Sequence, residues 1–497
     1  MSRLSLSTLA GLPADVARPG YDILKVKVGI VHLGVGAFHR AHQAVAVDDR
    51  LAAGEPQWAI CGASLRSPET RDALAPQDWL YALATRGPEG QSLRVIGSLH
   101  SLLVAPESPE ALLTAMSAPS VRIVTLTVTE KGYCHDPARG ELAESHPDIL
   151  HDLKNPSTPR SAPGFVVEAL RRRRLSGLAP FTVVSCDNLP ANGATARRVF
   201  SRFAALRDPD LGRWVEDQVA FPSTMVDRIV PATTDEDRVR ISAHLAHEDA
   251  WPVVTEPFSQ WVIEDRFPTG RPRFEDSGAT LVNDVAPYEL AKLRLLNGSH
   301  STLAYLGYLA GFETVSDVMA VEHFARFVSD LMRRESAPTL DASRSGDLEA
   351  YMGALIARFS NPALKHRTWQ IAMDGSQKLP QRLLGTVRAR LALGETIERL
   401  ALGVAGWMRY VTGIDERGRA IDVRDPLAAR LKAIAEAEGL NAQRLAPALA
   451  GVNEVFGADL AKDVRFLAPV TAALALLIDK GSLRTVADYA GQRRVEP

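Results

Sequence analysis

Cysteine is scarce. Cys61, Cys134 and Cys186 are the three thiols in 497 residues, too few and too scattered for a disulfide framework or a CxxC-based zinc site. No cluster with metal-ligand spacing is evident, so no metal is expected. Net charge is also missing: 57 Lys+Arg against 59 Asp+Glu leave −2. A chain without a basic field does not hold nucleic acid or an anionic membrane surface. Long apolar runs are absent. The stretch 466–478 is interrupted by Pro469 and Thr471 and falls short of the roughly 20 residues that span a bilayer. Residues 1–18 lack a basic start followed by an apolar core, so they do not read as a signal peptide. A cytoplasmic, reducing location is expected. What is present is an average globular composition, 46% hydrophobic and 23% charged, at a length that suits two or three domains.

The first half alternates β-branched runs with helical patterns, the mark of a mostly parallel sheet covered by helices. Four runs, 26–33, 58–62, 121–128 and 181–186, are apolar and closed by small or polar residues, as buried parallel strands are. Ligands collect beyond the carboxyl ends of such strands, which directs attention to Gly34, Ser64, Thr129 and Asp187. After Pro287 the periodicity becomes helical, through 293–309, 315–334, 348–359, 383–411 and 466–478. The expected division is residues 1–286 and 287–497. The run Arg171 to Arg174 reads as the solvated end of a helix.

The stretch from Val28 to Arg40 reads VGIVHLGVGAFHR, a strand, a Gly-x-Gly turn and the start of a helix. Gly34 allows a tight turn, Gly36 lets a pyrophosphate approach the backbone, and the next helix supplies free N–H groups. His39 stands where a third glycine is usual. The sequence thus predicts a Rossmann-like dinucleotide site in the first domain. At the end of the second strand, where a carboxylate normally holds the ribose, the chain has Ser64-Leu65-Arg66-Ser67. Arg66 faces a 2′-phosphate or the adenine, which leaves NAD and NADP both open. Asp48 and Asp49, within the first helix pattern, read as exposed or capping residues.

The second domain opens with Pro287-Tyr288-Glu289 and continues to Lys292, Asn297 and His300. At about 100° per residue from Lys292, Glu289 falls near 60°, His300 near 80° and Asn297 near 140°. One helical face thus presents an amine, a carboxylate, an imidazole and an amide among leucines. A partly buried lysine takes a proton more readily as its pKa falls, and an amide stabilises an alkoxide. A plain solvated helix face is the alternative. Asn188 follows the fourth strand in Ser185-Cys186-Asp187-Asn188; it serves as a second amide donor or as part of a turn. Three more polar segments suit a sugar-sized cleft: Thr127 to Tyr133, Met225 to Arg228, and Asp374 to Arg382. An ion pair between Asp227 and Arg228 is the structural alternative for the second.

Together the Gly-x-Gly-x-Phe turn, TVTEKGY at 127–133, SCDNL followed by Asn192-Gly193, MVDRI at 225–229 and KLRLLNGSH at 292–300 make a chain that resembles the polyol-specific long-chain dehydrogenases, the mannitol dehydrogenase family. The resemblance implies metal-independent hydride transfer between a nicotinamide cofactor and a secondary alcohol of a linear sugar derivative. It implies Lys292 as general acid/base, Asn188 and Asn297 holding the substrate oxygen, and His300 orienting it, with Glu289, Asp227 and Glu130 in support. Gly34, Gly36, Phe38, Arg40, Arg66 and Thr129 would contact NAD. The forms at 64–67 and 130–133 look more like the fructuronate reductase (mannonate oxidoreductase) branch than like mannitol 2-dehydrogenases. A sugar acid calls for a cation, supplied by Lys131, Arg367, Lys378 or Arg382. D-Mannonate and D-fructuronate are therefore favoured over D-mannitol and D-fructose. A sugar-phosphate dehydrogenase and a non-catalytic nucleotide sensor are the further alternatives, and a monomer is expected.

Overall fold

The computed structural model describes residues 1–136 and 139–491; the last residues of the expected second domain, 492–497, lie outside that set. The chain divides into two compact units, Met1–Val285 and Ala286–Pro497.

In the first unit, five strands form one parallel sheet: β1 (Val28–Leu33), β2 (Ala59–Ser64), β3 (Leu99–Val104), β4 (Ile123–Leu126) and β5 (Thr182–Ser185), in the order β5-β4-β1-β2-β3. This is the Rossmann order, with its switch point between β1 and β4. Alternation along each strand fills two cores. Val31, Val124 and Val183 pack with Phe165 and Phe200 on one face, while Ile30, Ile123 and Val184 pack with Val47 and Leu51 on the other. β3 was not expected from the sequence; His100 and Ser101 interrupt its apolar pattern at the sheet edge.

Two smaller sheets complete this unit. One contains Val16–Ala17, Gly90–Ile96, Tyr81–Gly87 and Val253–Thr255; the other contains Thr224–Asp227, Gln260–Glu264 and Thr280–Val282. The run Arg171 to Arg174 ends the helix Ala162–Leu175, but its members are not uniformly solvated. Arg173 is buried and donates to the carbonyls of Ala118 and Ala179 at 2.7 and 2.8 Å.

The second unit is helical. Ala286–Ala291, a π-helical stretch Lys292–Asn297 and Gly298–Leu309 follow one another directly. Gly298–Leu309 packs against Glu398–Tyr410, which is buried along almost its whole length. Small residues permit the approach: a Cβ on Gly403 would meet Thr302 Oγ1 at 2.7 Å, and one on Gly406 would meet Leu306 Cδ2 at 2.9 Å. The pattern at 383–411 breaks at Gly394 (φ 73), which separates Gly385–Ala392 from Glu398–Tyr410. Around 466–478 the helix runs further than expected, over Val464–Gly491, with Pro469 inside it and a kink at Gly481 (φ 76). Its length and mean hydropathy of 1.5 match those of a membrane span, yet Phe466, Val470, Leu474 and Leu477 belong to the core of this unit.

Candidate functional site

A crevice of about 1180 Å³ opens beyond the carboxyl ends of β1 to β4, lined by Gly34, Gly36, Ser64, Arg66, Ser67, Ala105, Thr127, Thr129 and Lys131, among others. It spans the switch point, where open α/β sheets bind ligands. Gly34 is required there, since its φ is +93° and a Cβ would lie 2.2 Å from the Thr127 carbonyl oxygen. Gly36 differs. A Cβ on it would meet nothing nearer than the Gly34 oxygen at 3.9 Å, so the protein's own packing does not demand glycine, and the bare backbone faces open space. That is the cradle a phosphate-bearing ligand uses.

Thr129 follows β4 with φ +64, a strained conformation for a β-branched residue. Asp187, just past β5, holds it there. Its carboxylate accepts from the backbone N–H of Val128 at 3.1 Å and of Thr129 at 2.8 Å, and from the Tyr133 hydroxyl at 2.8 Å. Burial nevertheless pushes the Asp187 carboxyl upward in pKa. Glu130 and Lys131 are exposed on the short helix Thr129–Gly132, Lys131 within the crevice lining. Asn188 is exposed immediately after Asp187, and Asp227 is buried at the end of Thr224–Asp227.

In the second unit Glu289, Lys292 and Asn297 are half-buried. The π-helical hydrogen bonding of Lys292–Asn297 adds a residue to the turn. The 100° wheel drawn from sequence therefore does not describe how Lys292 faces Asn297 and His300. His300 stacks on Phe359, with ring centroids 5.4 Å apart, and lies 4.7 Å from the His366 ring. Its Nε2 is enclosed and has no hydrogen-bond partner among the described residues. Burial, followed by the positive fields of His366, Arg382, Arg358 and Lys378, holds its pKa well below the ordinary value, so it is neutral at neutral pH. Arg382 donates to Ser301 Oγ at 3.1 Å, and Lys378 donates to the Met373 carbonyl at 2.5 Å. Burial lowers the pKa of both.

Two family models cover this architecture: the mannitol dehydrogenase Rossmann domain over residues 28–276 and the mannitol dehydrogenase C-terminal domain over 284–478. The chain belongs to the mannitol dehydrogenase family. It is an oxidoreductase of a group whose members use NAD and act on polyols or aldonates. The chain is 49% identical to the D-mannonate oxidoreductase of Escherichia coli (strain K12) over 487 residues, 97% of this chain and 100% of that one. It is 43% identical to a mannitol 2-dehydrogenase of Aspergillus terreus over 472 residues, 93% of each. Among solved structures, Pseudomonas fluorescens mannitol 2-dehydrogenase in ternary complex with NAD and D-mannitol matches with a TM-score of 0.85 and 40% identity, over 99% of this chain and 100% of that one.

Within this family fold, several expected site residues stand elsewhere. Arg40 is buried: it donates to the Trp251 carbonyl and lies 5.1 Å above the Tyr81 ring, outside the crevice lining. The helix turn after Gly36 carries it inward. Phe38 likewise does not line the crevice and stacks on His42 at 5.0 Å. Arg367 is half exposed and pairs with Glu313 at 3.5 Å. Arg228 directs its guanidinium to the carbonyls of Ala41 and Glu256. Asp48 is a buried hub that accepts from the Tyr21 hydroxyl at 2.6 Å, Arg94 at 2.5 Å and the Gly97 N–H at 2.9 Å.

A set of metal-ligand types also comes together that the sequence spacing does not announce. Cys134, His146 and Asp148 offer S, N and O atoms within 4.8 Å of one another in the crevice wall. The antiparallel pair His135–Asp136 and Glu141–Leu142 folds these distant positions side by side. The Cys134 thiol is pushed up to about 12 by burial and by Asp148 and Asp152, so it keeps its proton at neutral pH. Arg358 and His366 were not singled out as site residues from sequence; Asp187 was, as a strand-end position, but not its hold on Val128, Thr129 and Tyr133. A His or Arg far along the chain carries no local signal of its neighbours, and neither does a carboxylate whose partners lie on another strand's loop.

Proposed function

We propose that the chain interconverts D-mannonate and D-fructuronate, with NAD held in the crevice beyond Gly34 and Gly36 as hydride acceptor and donor. The observation that carries the choice of a sugar acid is the cation group beside His300. Lys378 and Arg382 bond to backbone carbonyls and to a serine hydroxyl; neither makes an ion pair among the described residues, although the fields of Asp374 and Asp425 reach Lys378. Half-buried cations left in this way favour a ligand that brings its own negative charge. The similarity to D-mannonate oxidoreductase supports the same choice. The mannitol 2-dehydrogenase relatives support the second reading, D-mannitol and D-fructose.

In this reading Lys292 takes the proton of the substrate hydroxyl as hydride leaves the same carbon, and returns it to the ketone oxygen in the reverse direction. Asn297 and Asn188 donate to that oxygen and stabilise its developing charge. His300, neutral and with an Nε2 that has no partner among the described residues, hydrogen-bonds a substrate hydroxyl. Glu289 and Asp227 tune or relay the lysine's proton, and Glu130 has a supporting role that rests on the family resemblance. Steady-state oxidation of NADH with fructuronate and with fructose tests the substrate. The expected kcat/KM favours fructuronate by about tenfold or more, the worth of a charge-assisted contact. Preference for fructose would replace the sugar acid with the hexitol reading.

A further inference from the structure

In a Rossmann domain a carboxylate at the end of the second strand holds the ribose hydroxyls of NAD, and its charge opposes a 2′-phosphate. β2 ends at Ser64 without one. The turn that follows is fixed by Ser64, whose hydroxyl donates to the Ser67 carbonyl at 2.6 Å and accepts from the Ser67 N–H at 3.2 Å. Arg66 stands exposed on this turn and lines the crevice together with Ser64, Ser67 and Thr70. Its guanidinium makes no ion pair or side-chain hydrogen bond among the described residues. The next carboxylates in sequence, Glu69 and Asp72, lie on the helix Glu69–Leu74 outside the crevice lining, and Asp72 is paired with Arg71 at 2.7 Å; the carboxylate in the lining is Asp148, grouped with Cys134 and His146. An unpaired arginine fork beside hydroxyl groups is the arrangement that recognises a phosphate monoester. Lys131 also lines the crevice, but it follows β4 rather than β2.

We infer that this crevice accepts NADP as well as NAD, with Arg66 gripping the 2′-phosphate and the Ser67 and Thr70 hydroxyls completing its shell. The inference rests on the reading of the crevice as the dinucleotide site. Fluorescence titration of the full-length protein with NADH and with NADPH, at one ionic strength and without substrate, measures binding apart from turnover. The wild type is expected to bind NADPH within about tenfold of NADH. Arg66→Gln should weaken NADPH by about tenfold or more and change NADH by less than about threefold, as loss of one charge-assisted contact predicts. Arg66→Lys should restore part of the NADPH affinity, and Ser67→Asp, which puts a carboxylate on the same turn, should weaken NADPH alone. Two results would overturn the inference while leaving the dinucleotide site in place: NADPH binding more than about tenfold weaker than NADH in the wild type, or equal weakening of both cofactors by Arg66→Gln, the result for an arginine stacked on adenine. Binding of neither cofactor to the wild type would overturn the crevice reading and the inference with it.

Discussion

Lys292 is the residue on which the proposed chemistry turns. It sits half-buried at the start of the π-helical stretch Lys292–Asn297, while the crevice assigned to the cofactor is lined by residues of the first unit. Removing the amine should therefore separate chemistry from cofactor binding. Lys292→Ala is expected to lower kcat by about 10²- to 10⁴-fold, as for loss of a general acid/base, with the NADH dissociation constant unchanged within about threefold. Steady-state rates beside fluorescence titration check this, and an undiminished kcat would remove the lysine from the reaction. Lys292 is legible in sequence because an amine among leucines breaks the expected pattern of a buried face. The clamp made by Asp187 and the hub made by Asp48 are not, because what defines them is distant. Asp187 gathers Val128, Thr129 and Tyr133 from more than fifty positions away, and Asp48 meets Arg94 and Gly97.

Elements are positioned by where backbones come close. Gly298 begins the helix after the π turn and touches another π-helical stretch, Pro380–Leu384, so that a Cβ there would lie 2.7 Å from the Arg382 carbonyl oxygen. Gly298→Ala must push these segments apart, at a cost of about 1–3 kcal/mol for overpacking. The displacement carries Arg382 away from Ser301, beside His300. The KM for fructuronate should accordingly rise more than the KM for fructose, measured on the folded variant, and an equal change in both would detach Arg382 from the carboxylate. The helices themselves were legible from apolar periodicity, but the π turns were not. The additional residue is confined to a short stretch between α-helices, so the apolar periodicity around it still reads as α-helical and the hydrogen bonds alone mark the π turn. The β-strands divide in the same way. Runs buried on both faces, as in β1 and β4, announce themselves, whereas Tyr81–Gly87 and Gly90–Ile96 pair as an antiparallel hairpin whose polar outward positions dilute the signal.

For the whole molecule, positive and negative charges nearly balance, and its buried groups add a pH response of their own. His32 on β1 and His39 after the glycine turn are fully buried and stacked, with centroids 3.4 Å apart. His32 binds Thr125 Oγ1 at 2.7 Å and Thr127 Oγ1 at 2.9 Å, and burial pushes its pKa down to about 3. In the unfolded chain a histidine takes its proton near pH 6.5. Between those values the unfolded state binds a proton that the native state refuses, so the stability of the first unit falls as pH falls below about 6.5. Burial raises the carboxyls of Asp187 and Asp249, which work in the opposite sense as pH falls through the carboxylate range. Comparison with a variant isolates the imidazole. From pH 7.5 to 5.0, hydrogen exchange at the β1 amides should show the wild type losing about 2 kcal/mol more protection than His32→Asn, at about 1.4 kcal/mol per pH unit below 6.5. Parallel losses in the two proteins would mean that His32 takes up its proton in the native fold, and that the packing of the glycine turn opens to water before the sheet does.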